Sequence, residues 1–285
     1  MLFRSGYPWF IAKNQGYPVF MTPLAAVKAL DVSATYYEEK KARDGRGAYP
    51  EGPVDKEKIA AIRARCNAEK RIPLTDEALD IAAAAGIGSV AGAVVRSARE
   101  AEGLKIKYPV AVKLLSRDAS HKSDVGGVKL GIGGPAELTA AIAEMEKAMG
   151  ALPEKPAIDG FLVQTMAAEG VECFVGGRQD PVFGPIVTAG LGGVFLEIFK
   201  DTSIRLAPVT KSEAMDMLGE LKAYPVLRGA RGKGKADTDA LADIVCRVAH
   251  LLAEVPEIAE IDLNPVIVHG AGKGVSVVDS RIFFR

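Results

Sequence analysis

From residue 73 onward, the apolar and polar positions follow helical and strand periods in turn. Apolar residues recur three and four positions apart, as in amphipathic helices, at about 75–86, 97–104, 135–150, 210–221 and 237–254. β-branched or alternating runs, typical of strands, lie between them: "YPVAVKLL", "GVKLGI", "GFLVQTM", "VECFVGG", "PVFGPIVTAGLGG", "EIAEIDLNPVIV" and "GVSVVDSRI". Thr75 is predicted to cap the first helix, and "GFLVQTM" and "VECFVGG" are predicted to form a hairpin-like pair. The pattern indicates an α/β (α+β) domain.

Residues 1–72 have a different pattern. Residues 1–35 form a small apolar segment, in which "TPLAAVKAL" predicts a short helix with Thr22 as its cap and Pro23 at its first position. Some thirty residues cannot form a core alone. Residues 36–72 are charged and punctuated by proline and glycine, which predicts a linker with one helix at about 55–69.

Composition excludes several classes of function. Lys plus Arg equals Asp plus Glu at 36 each, so no overall charge attracts nucleic acid or an anionic membrane. No apolar run is long enough to span a bilayer. Three widely spaced cysteines fit neither a disulfide framework nor a zinc site. We expect a cytoplasmic protein without nucleic-acid or membrane partners.

The common nucleotide-binding motifs do not fit. Residues 229–236, "GARGKGKA", satisfy G-x-x-x-x-G-K, but Ala236 stands where a P-loop needs a hydroxyl for Mg²⁺. A basic loop between helices is the favoured interpretation. The chain also lacks a G-x-G-x-x-G between a strand and a helix, so no Rossmann fingerprint is present.

A different arrangement of residues favours phosphate binding. Lys113 lies in the apolar run "PVAVK", where a strand would hold its ammonium in one place, as a point charge suited to phosphate. In the following turn, "HKSDVGG", Gly126 and Gly127 permit backbone N–H groups to approach a ligand. Near the C-terminus, oxygen ligands suited to Mg²⁺ occur on two neighbouring strand candidates, at Asp262, Asn264 and Asp279.

Three segments carry a resemblance to a known family. They are "YPVAVKLLSRDASHKSDVGGVKLGI", "DPVFGPIVTAGLGGVFLEIFKD" and "IAEIDLNPVIV…VSVVDSRI". Residues 73–285 resemble the ATP-grasp domain of ADP-forming (NDP-forming) acyl-CoA synthetases, relatives of the succinyl-CoA synthetase β subunit. The resemblance implies two subdomains that clasp a nucleotide, with a small lid at about 90–160 and a larger subdomain mainly at 161–285.

The resemblance also implies roles for individual residues. Lys113 would contact the phosphates of ATP or ADP, with Gly126 and Gly127 in the glycine loop of the lid. Gln164 and Met166, in "VQTM", match the hinge over the adenine. Asn264 and Asp279 would bind Mg²⁺, and Asp262 fills an acidic position that lies near the phosphohistidine in relatives. Glu172 is either a nucleotide contact or an ordinary exposed strand acid.

Two interpretations of His121 stay open. It falls where some relatives are thought to carry a phosphoryl group on histidine, a role that suits an imidazole neutral near pH 7. Alternatively, it orders its loop through Ser123 or Asp124. Other residues are also uncertain or structural: "AGLGG" is a phosphate site or a tight turn, Glu197 and Asp201 serve metal or fold, Arg231 has no assigned contact, and His250 and His269 are structural.

The chain departs from the fused members of the family. They begin with a CoA-binding Rossmann domain and a ligase domain, neither of which is present here, although residues 16–30 resemble the end of the ligase half. The chain is therefore expected to be a fragment of a fused enzyme or a β-type subunit, in a hetero-oligomer with an α-type CoA-binding/ligase partner. It would supply the nucleotide half of acyl-CoA + ADP + phosphate ⇌ carboxylic acid + CoA + ATP.

Two other functions remain as alternatives. One is a degenerate regulatory module like that of some protein acetyltransferases, against which the presence of Lys113, His121, Asn264 and Asp279 argues. The other is a stand-alone ATP-grasp carboxylate ligase, which would need a carboxylate pocket of its own that the sequence does not reveal.

Overall fold

The computed structural model describes most of the chain, in two compact units at residues 1–48 and 49–285. The residues described are 19–20, 22–44, 52–118, 126–153, 156–193, 201–230 and 234–285, with side chains omitted for 39–44.

The first unit contains helix α1, Pro23–Asp44. The Thr22 hydroxyl oxygen accepts a hydrogen bond from the Ala25 N–H at 3.2 Å, which confirms the predicted cap. The helix continues through the first residues of the predicted linker at 36–72, which is therefore wrong for residues 36–44. Its described apolar side chains are exposed or half-buried, so the helix has no core of its own.

The second unit begins with two helices that pack on its main core. Helix α2, Lys56–Ala68, confirms the helix predicted at about 55–69, and its N-cap is Asp55, whose carboxylate accepts from the Lys58 N–H at 2.9 Å. It buries one face in the same core as helix α3, Thr75–Ala84. This part of the predicted linker therefore belongs to the folded domain. Leu74, not Thr75, occupies the N-cap position of α3.

A buried ion cluster fixes the junction between α2 and α3. The Arg71 guanidinium donates to both oxygens of Glu77, at 2.5 and 2.9 Å, and the Glu77 carboxylate also accepts from the Leu74 N–H at 2.8 Å. Arg65 donates to the same carboxylate at 3.0 Å. Burial acts to raise the pKa of Glu77, but these hydrogen bonds outweigh it and lower the pKa to about 2. Glu77 is therefore ionised and fully engaged in holding the two helices together.

A four-stranded antiparallel sheet forms the smaller subdomain. Its strand order is β1-β4-β2-β3, formed by β1 Gly92–Val95, β2 Val110–Leu115, β3 Val128–Ile132 and β4 Gly160–Thr165. Helices α4, Ala98–Ala101, and α5, Pro135–Ala151, cover one face around buried Val110, Val112 and Leu114. Strand β4 extends to Thr165, past the limit of about 160 predicted for the lid, and the lid role of this sheet stays a prediction.

A six-stranded antiparallel sheet forms the larger subdomain. The order is β10-β8-β5-β6-β7, with β9 paired to β8. Its strands and helices are β5 Val171–Asp180, β6 Gly184–Leu191, β7 Thr202–Leu206, α6 Lys211–Gly219, α7 Tyr224–Leu227, α8 Thr238–Glu254, β8 Ile258–Val268, β9 Val275–Val277 and β10 Ser280–Phe284. The predicted pairing of "GFLVQTM" with "VECFVGG" is wrong, because β4 and β5 belong to different sheets and β5 pairs with β6 and β8.

Alternation along the strands gives each sheet two distinct faces. Val175 on β5, Val187 on β6 and Leu263 on β8 are buried in the core that also contains the apolar face of α8. The intervening residues Gly176, Thr188 and Asp262 lie on the opposite, open face. In the smaller sheet, Leu115 and Leu162 belong to the core of the larger subdomain. Lys113 shares their face of the sheet and therefore turns toward the larger subdomain.

Candidate active site

Lys113 links the two sheets. Its ammonium donates a hydrogen bond to the Val278 carbonyl oxygen at 2.8 Å and lies 3.7 Å from a carboxylate oxygen of Asp279. Burial lowers the pKa of Lys113, and the Asp279 carboxylate opposes that shift. Both predicted roles, phosphate contact and metal ligand, thus fall on residues that meet in space. The sequence does not predict the contact with the Val278 carbonyl oxygen, because a hydrogen bond from a side chain to a main-chain oxygen 165 residues away leaves no pattern in the sequence.

Asn264 and Asp279 form the proposed metal pair. They lie on adjacent chain segments, where the Asn264 N–H donates to the Asp279 carbonyl oxygen at 3.2 Å. The Asp279 carboxylate also accepts from the Ser280 N–H at 2.9 Å, which limits its rotation, while its side chain stays 39% exposed. One amide and one carboxylate oxygen fit Mg²⁺, which commonly takes few protein ligands and completes its shell with phosphate and water. No larger group of His, Cys, Asp or Glu suited to a metal occurs among the described residues.

Asp262 lies beside this pair on strand β8. Gly176 on strand β5 has no side chain, and a Cβ placed there would lie 3.6 Å from a carboxylate oxygen of Asp262. The Asp262 side chain therefore extends over strand β5. Burial raises the pKa of Asp262, Arg281 acts in the opposite direction, and Glu260 and Asp279 raise it further. Arg281 is opposite Asp262 in the β8–β10 ladder. Sequence reasoning did not single out this arginine.

Gln164 and Met166 lie at the end of strand β4. The Gln164 side chain is only 1% exposed, and neither its amide nitrogen nor its amide oxygen has a hydrogen-bond partner. It pairs in register with Ala111 and shares the sheet face of Lys113. The Met166 N–H donates to the Pro109 carbonyl oxygen at 2.9 Å. A buried unpaired amide is costly, so Gln164 is a residue for which a ligand contact would be favourable; the adenine contact stays a prediction.

The glycine turn is attached directly to the lysine strand. Gly126 has φ +72°, a conformation that side chains disfavour, and the Gly127 carbonyl oxygen accepts from the Leu114 N–H at 2.8 Å. Residues 119–125, including His121, lie outside the described residues. At the start of this segment, the Asp159 carboxylate accepts from the Arg117 N–H at 2.8 Å, and the Asp118 carboxylate accepts from the Ala157 N–H at 2.9 Å.

Glu172 lies on a different part of the larger sheet. Its side chain is exposed on β5, and its carbonyl oxygen accepts from the Gly192 N–H at 2.8 Å. A carboxylate oxygen of Glu172 would be 3.5 Å from a Cβ added to Gly193, so the acid lies over the "AGLGG" turn. Its nucleotide contact stays a prediction.

The remaining candidates divide between structural roles and undescribed residues. The Asp201 carboxylate accepts from the N–H groups of Lys222 and Ala223, at 3.0 and 2.7 Å, which favours the fold over a metal. His250 contacts the Gly52 carbonyl oxygen, and His269 contacts the Glu169 carbonyl oxygen and the Ser276 hydroxyl, as expected for structural histidines. Glu197 and Arg231 lie outside the described residues. In the part of the chain that the structure describes, no helix has the length and apolar character needed to cross a membrane.

Comparison with known proteins identifies the fold and its relatives. The ATP-grasp domain family matches residues 65–284. Acetate–CoA ligase [ADP-forming] I of Archaeoglobus fulgidus is 40% identical over 95% of this chain, which covers 39% of that protein. The β subunit of acetate–CoA ligase [ADP-forming] I of Pyrococcus furiosus is 42% identical over 74% of this chain and 92% of that subunit. The chain thus spans about two fifths of the fused relative and nearly all of the separate β subunit.

Solved structures give the same result. An acetyl-coenzyme A synthetase 1 of Candidatus Korarchaeum cryptofilum, in complex with coenzyme A and Ca-AMPCP, matches with a TM-score of 0.75 and 38% identity. The match covers 79% of this chain and 99% of that one. A further structure of that synthetase contains coenzyme A and Mg-AMPPCP, with its phosphohistidine segment pointing towards the nucleotide binding site. It matches with a TM-score of 0.69 and 36% identity, over 79% of this chain and 99% of that one. The chain belongs to the ATP-grasp domain family, in the branch that includes the β subunits of ADP-forming acetate–CoA ligases.

Proposed function

We propose that this chain is the nucleotide-binding, phosphoryl-transfer part of an ADP-forming acyl-CoA synthetase. The reaction is acyl-CoA + ADP + phosphate ⇌ carboxylic acid + CoA + ATP. The observation that carries this proposal is the meeting of Lys113 with Asp279, 3.7 Å apart, where the smaller sheet faces the larger one. A cation and an oxygen-rich pair at one junction are what a Mg-nucleotide requires.

Each residue has a defined part in this proposal. Lys113 holds the nucleotide phosphates as a fixed positive charge, and Asn264 and Asp279 hold Mg²⁺ through oxygen atoms. The metal neutralises phosphate charge when it is bound. Gln164 and Met166 contact the adenine, and Gly126 and Gly127 bring backbone N–H groups toward the phosphates. Solved structures of a related synthetase hold the nucleotide analogues Ca-AMPCP and Mg-AMPPCP, which supports nucleotide binding by this part of the chain.

The chain needs a CoA-binding/ligase partner. One relative carries this region within a fused chain, and another is named as a β subunit, so both arrangements exist among relatives. The acyl group varies among them, since a Nitrosopumilus maritimus relative, 32% identical, is a 4-hydroxybutyrate–CoA ligase. His121 is proposed to relay the phosphoryl group between the two parts, with Asp262 beside its path. Residues 1–35 are proposed to correspond to the end of the ligase half in fused relatives.

Reconstitution tests this division of labour. The chain alone should form no acyl-CoA from acetate, CoA and Mg-ATP, whereas mixing it with a purified CoA-binding/ligase half should give ATP-dependent thioester formation. His121→Ala should abolish this activity and leave ADP affinity within a few-fold, as expected for a group that acts in transfer. His250→Ala is the matched control and should remain active. His250 is on helix α8, and its imidazole contacts the Gly52 carbonyl oxygen and none of the candidate site residues that the structure describes.

Two results would contradict the proposal. Efficient thioester formation by the lone chain would show that no partner is required. Full activity of the His121→Ala mixture would reduce His121 to a loop-ordering residue.

A further inference from the structure

The open face of the larger sheet carries two adjacent rows of polar residues on strands β8 and β10. In the first row, Asn264 meets Asp279 through the 3.2 Å main-chain hydrogen bond. In the second row, Asp262 is directly opposite Arg281. Asp262 is two residues before Asn264, and Arg281 is two residues after Asp279. Residues two apart on a strand share a face and lie about 7 Å from each other, so the second row is next to the proposed metal pair.

A phosphate group near the second row would be repelled by the carboxylates there, so it would need the positive charge of Arg281. Glu260 and Asp262 are two residues apart on strand β8, and Arg281 is directly opposite Asp262. Arg281 is exposed on β10, between buried Ser280 and Ile282. A guanidinium presents a planar fork of donors that matches two phosphate oxygens. Its length lets it reach a diagonal neighbour on the next strand, about 7–8 Å away.

We propose that Arg281 binds the terminal phosphoryl group of ATP when the Mg-nucleotide occupies the Lys113–Asp279 junction. This inference rests on the proposed function and adds a contact that separates ATP from ADP. A phosphoryl group with one oxygen on a cation at the first row has its other oxygens free to extend toward the second row. Lys113 and the metal pair serve the phosphates common to both nucleotides, whereas Arg281 serves the group that only ATP carries.

The competing interpretation is that Arg281 only stabilises the sheet. Opposite charges directly across two strands contribute modestly to sheet stability, and the pairing of Arg281 with Asp262 fits that role as well. The two interpretations differ in one measurable property. A sheet contact affects folding and leaves nucleotide preference unchanged, whereas a phosphoryl contact changes the preference between nucleotides.

Calorimetric titration of the full chain distinguishes them. Mg-ADP and the non-hydrolysable Mg-AMPPCP are titrated into the native protein, Arg281→Gln and Arg281→Lys. Arg281→Gln should weaken Mg-AMPPCP about 10- to 100-fold, the range expected for a lost charge-assisted hydrogen bond, and leave Mg-ADP within threefold. Arg281→Lys should fall between the native protein and Arg281→Gln, because it keeps the charge but loses the fork.

Arg178→Gln is the matched control. Arg178 is opposite Glu260 on the same face of the sheet and pairs with Asp180 at 3.5 Å, so it should leave both affinities unchanged. Equal weakening of both nucleotides by Arg281→Gln, or no weakening of either, would overturn the inference while leaving nucleotide binding intact. Failure of the native protein to bind either nucleotide would instead overturn the proposed function, and this inference with it.

Discussion

Replacing Glu77 by Gln should destabilise the second unit substantially. The Glu77 carboxylate receives hydrogen bonds from Arg71, Arg65 and the Leu74 N–H, and both the Glu77 and Arg71 side chains are buried. Its pKa falls from 4.5 to about 2 on folding. Each pKa unit corresponds to about 1.4 kcal/mol, so the ionised carboxylate contributes about 3 kcal/mol of stability at neutral pH. Gln keeps the shape and removes the charge.

The pH dependence follows from the direction of the shift. A carboxyl group whose pKa is lowered by folding stabilises the protein above its unfolded pKa, 4.5 here. That stabilisation is lost as the pH falls from 4.5 toward 2, because protonation then costs more in the folded state. The stability difference between native protein and Glu77→Gln should therefore be constant from pH 6 to 8 and shrink below pH 4.5.

Urea unfolding followed by far-UV circular dichroism measures both effects. Asp80→Asn is the matched control, since Asp80 is on the same helix and forms an exposed ion pair with Lys58 at 2.9 Å. Exposed pairs contribute about 0–1 kcal/mol. A loss below about 1 kcal/mol in Glu77→Gln, equal to that of the control, would contradict the value derived from the cluster. A difference that did not change below pH 4.5 would contradict the mechanism.

Two further predictions concern the junction between the sheets. Asn264→Ala and Asp279→Ala should each weaken Mg-nucleotide at least 10-fold more than metal-free nucleotide in calorimetry, because both act through the cation; equal losses with and without Mg²⁺ would remove them as ligands. Lys113→Met should lower nucleotide affinity about 10-fold or more in the same calorimetric titration, as expected for a lost charge-assisted contact. Lys129→Met, which removes the surface pair with Glu144, is its control and should bind normally.

The sequence predicted local elements better than their partners. The period of two located the strands containing Lys113, Gln164 and Asp262. The same period says nothing about which strand lies alongside. The sequence therefore predicts that β4 and β5 pair, because they are neighbours in the chain, although they belong to different sheets. The charged segment before residue 73 favours a linker with one helix, because its charge masks the buried face with which α2 joins the core.

The candidate site was predictable where the family resemblance, residue type and strand context together imply chemistry. Lys113, Asn264 and Asp279 came from the resemblance and their strand context, and the structure brings Lys113 and Asp279 together. The Val278 carbonyl contact and the position of Arg281 opposite Asp262 depend on strand register. Register is set by long-range pairing, which a single sequence does not specify. The roles of all the candidate site residues, including His121 and Glu172, stay predictions.

Binding of Mg-ADP by this chain tests the central claim most directly. The proposed lysine, hinge and metal pair all lie within residues 73–285, so the folded chain should bind Mg-ADP by itself in isothermal titration calorimetry. Removing Mg²⁺ with EDTA should weaken binding, and Asp279→Ala should reproduce that loss. A chain that is folded by circular dichroism but shows no heat with millimolar Mg-ADP would contradict the account.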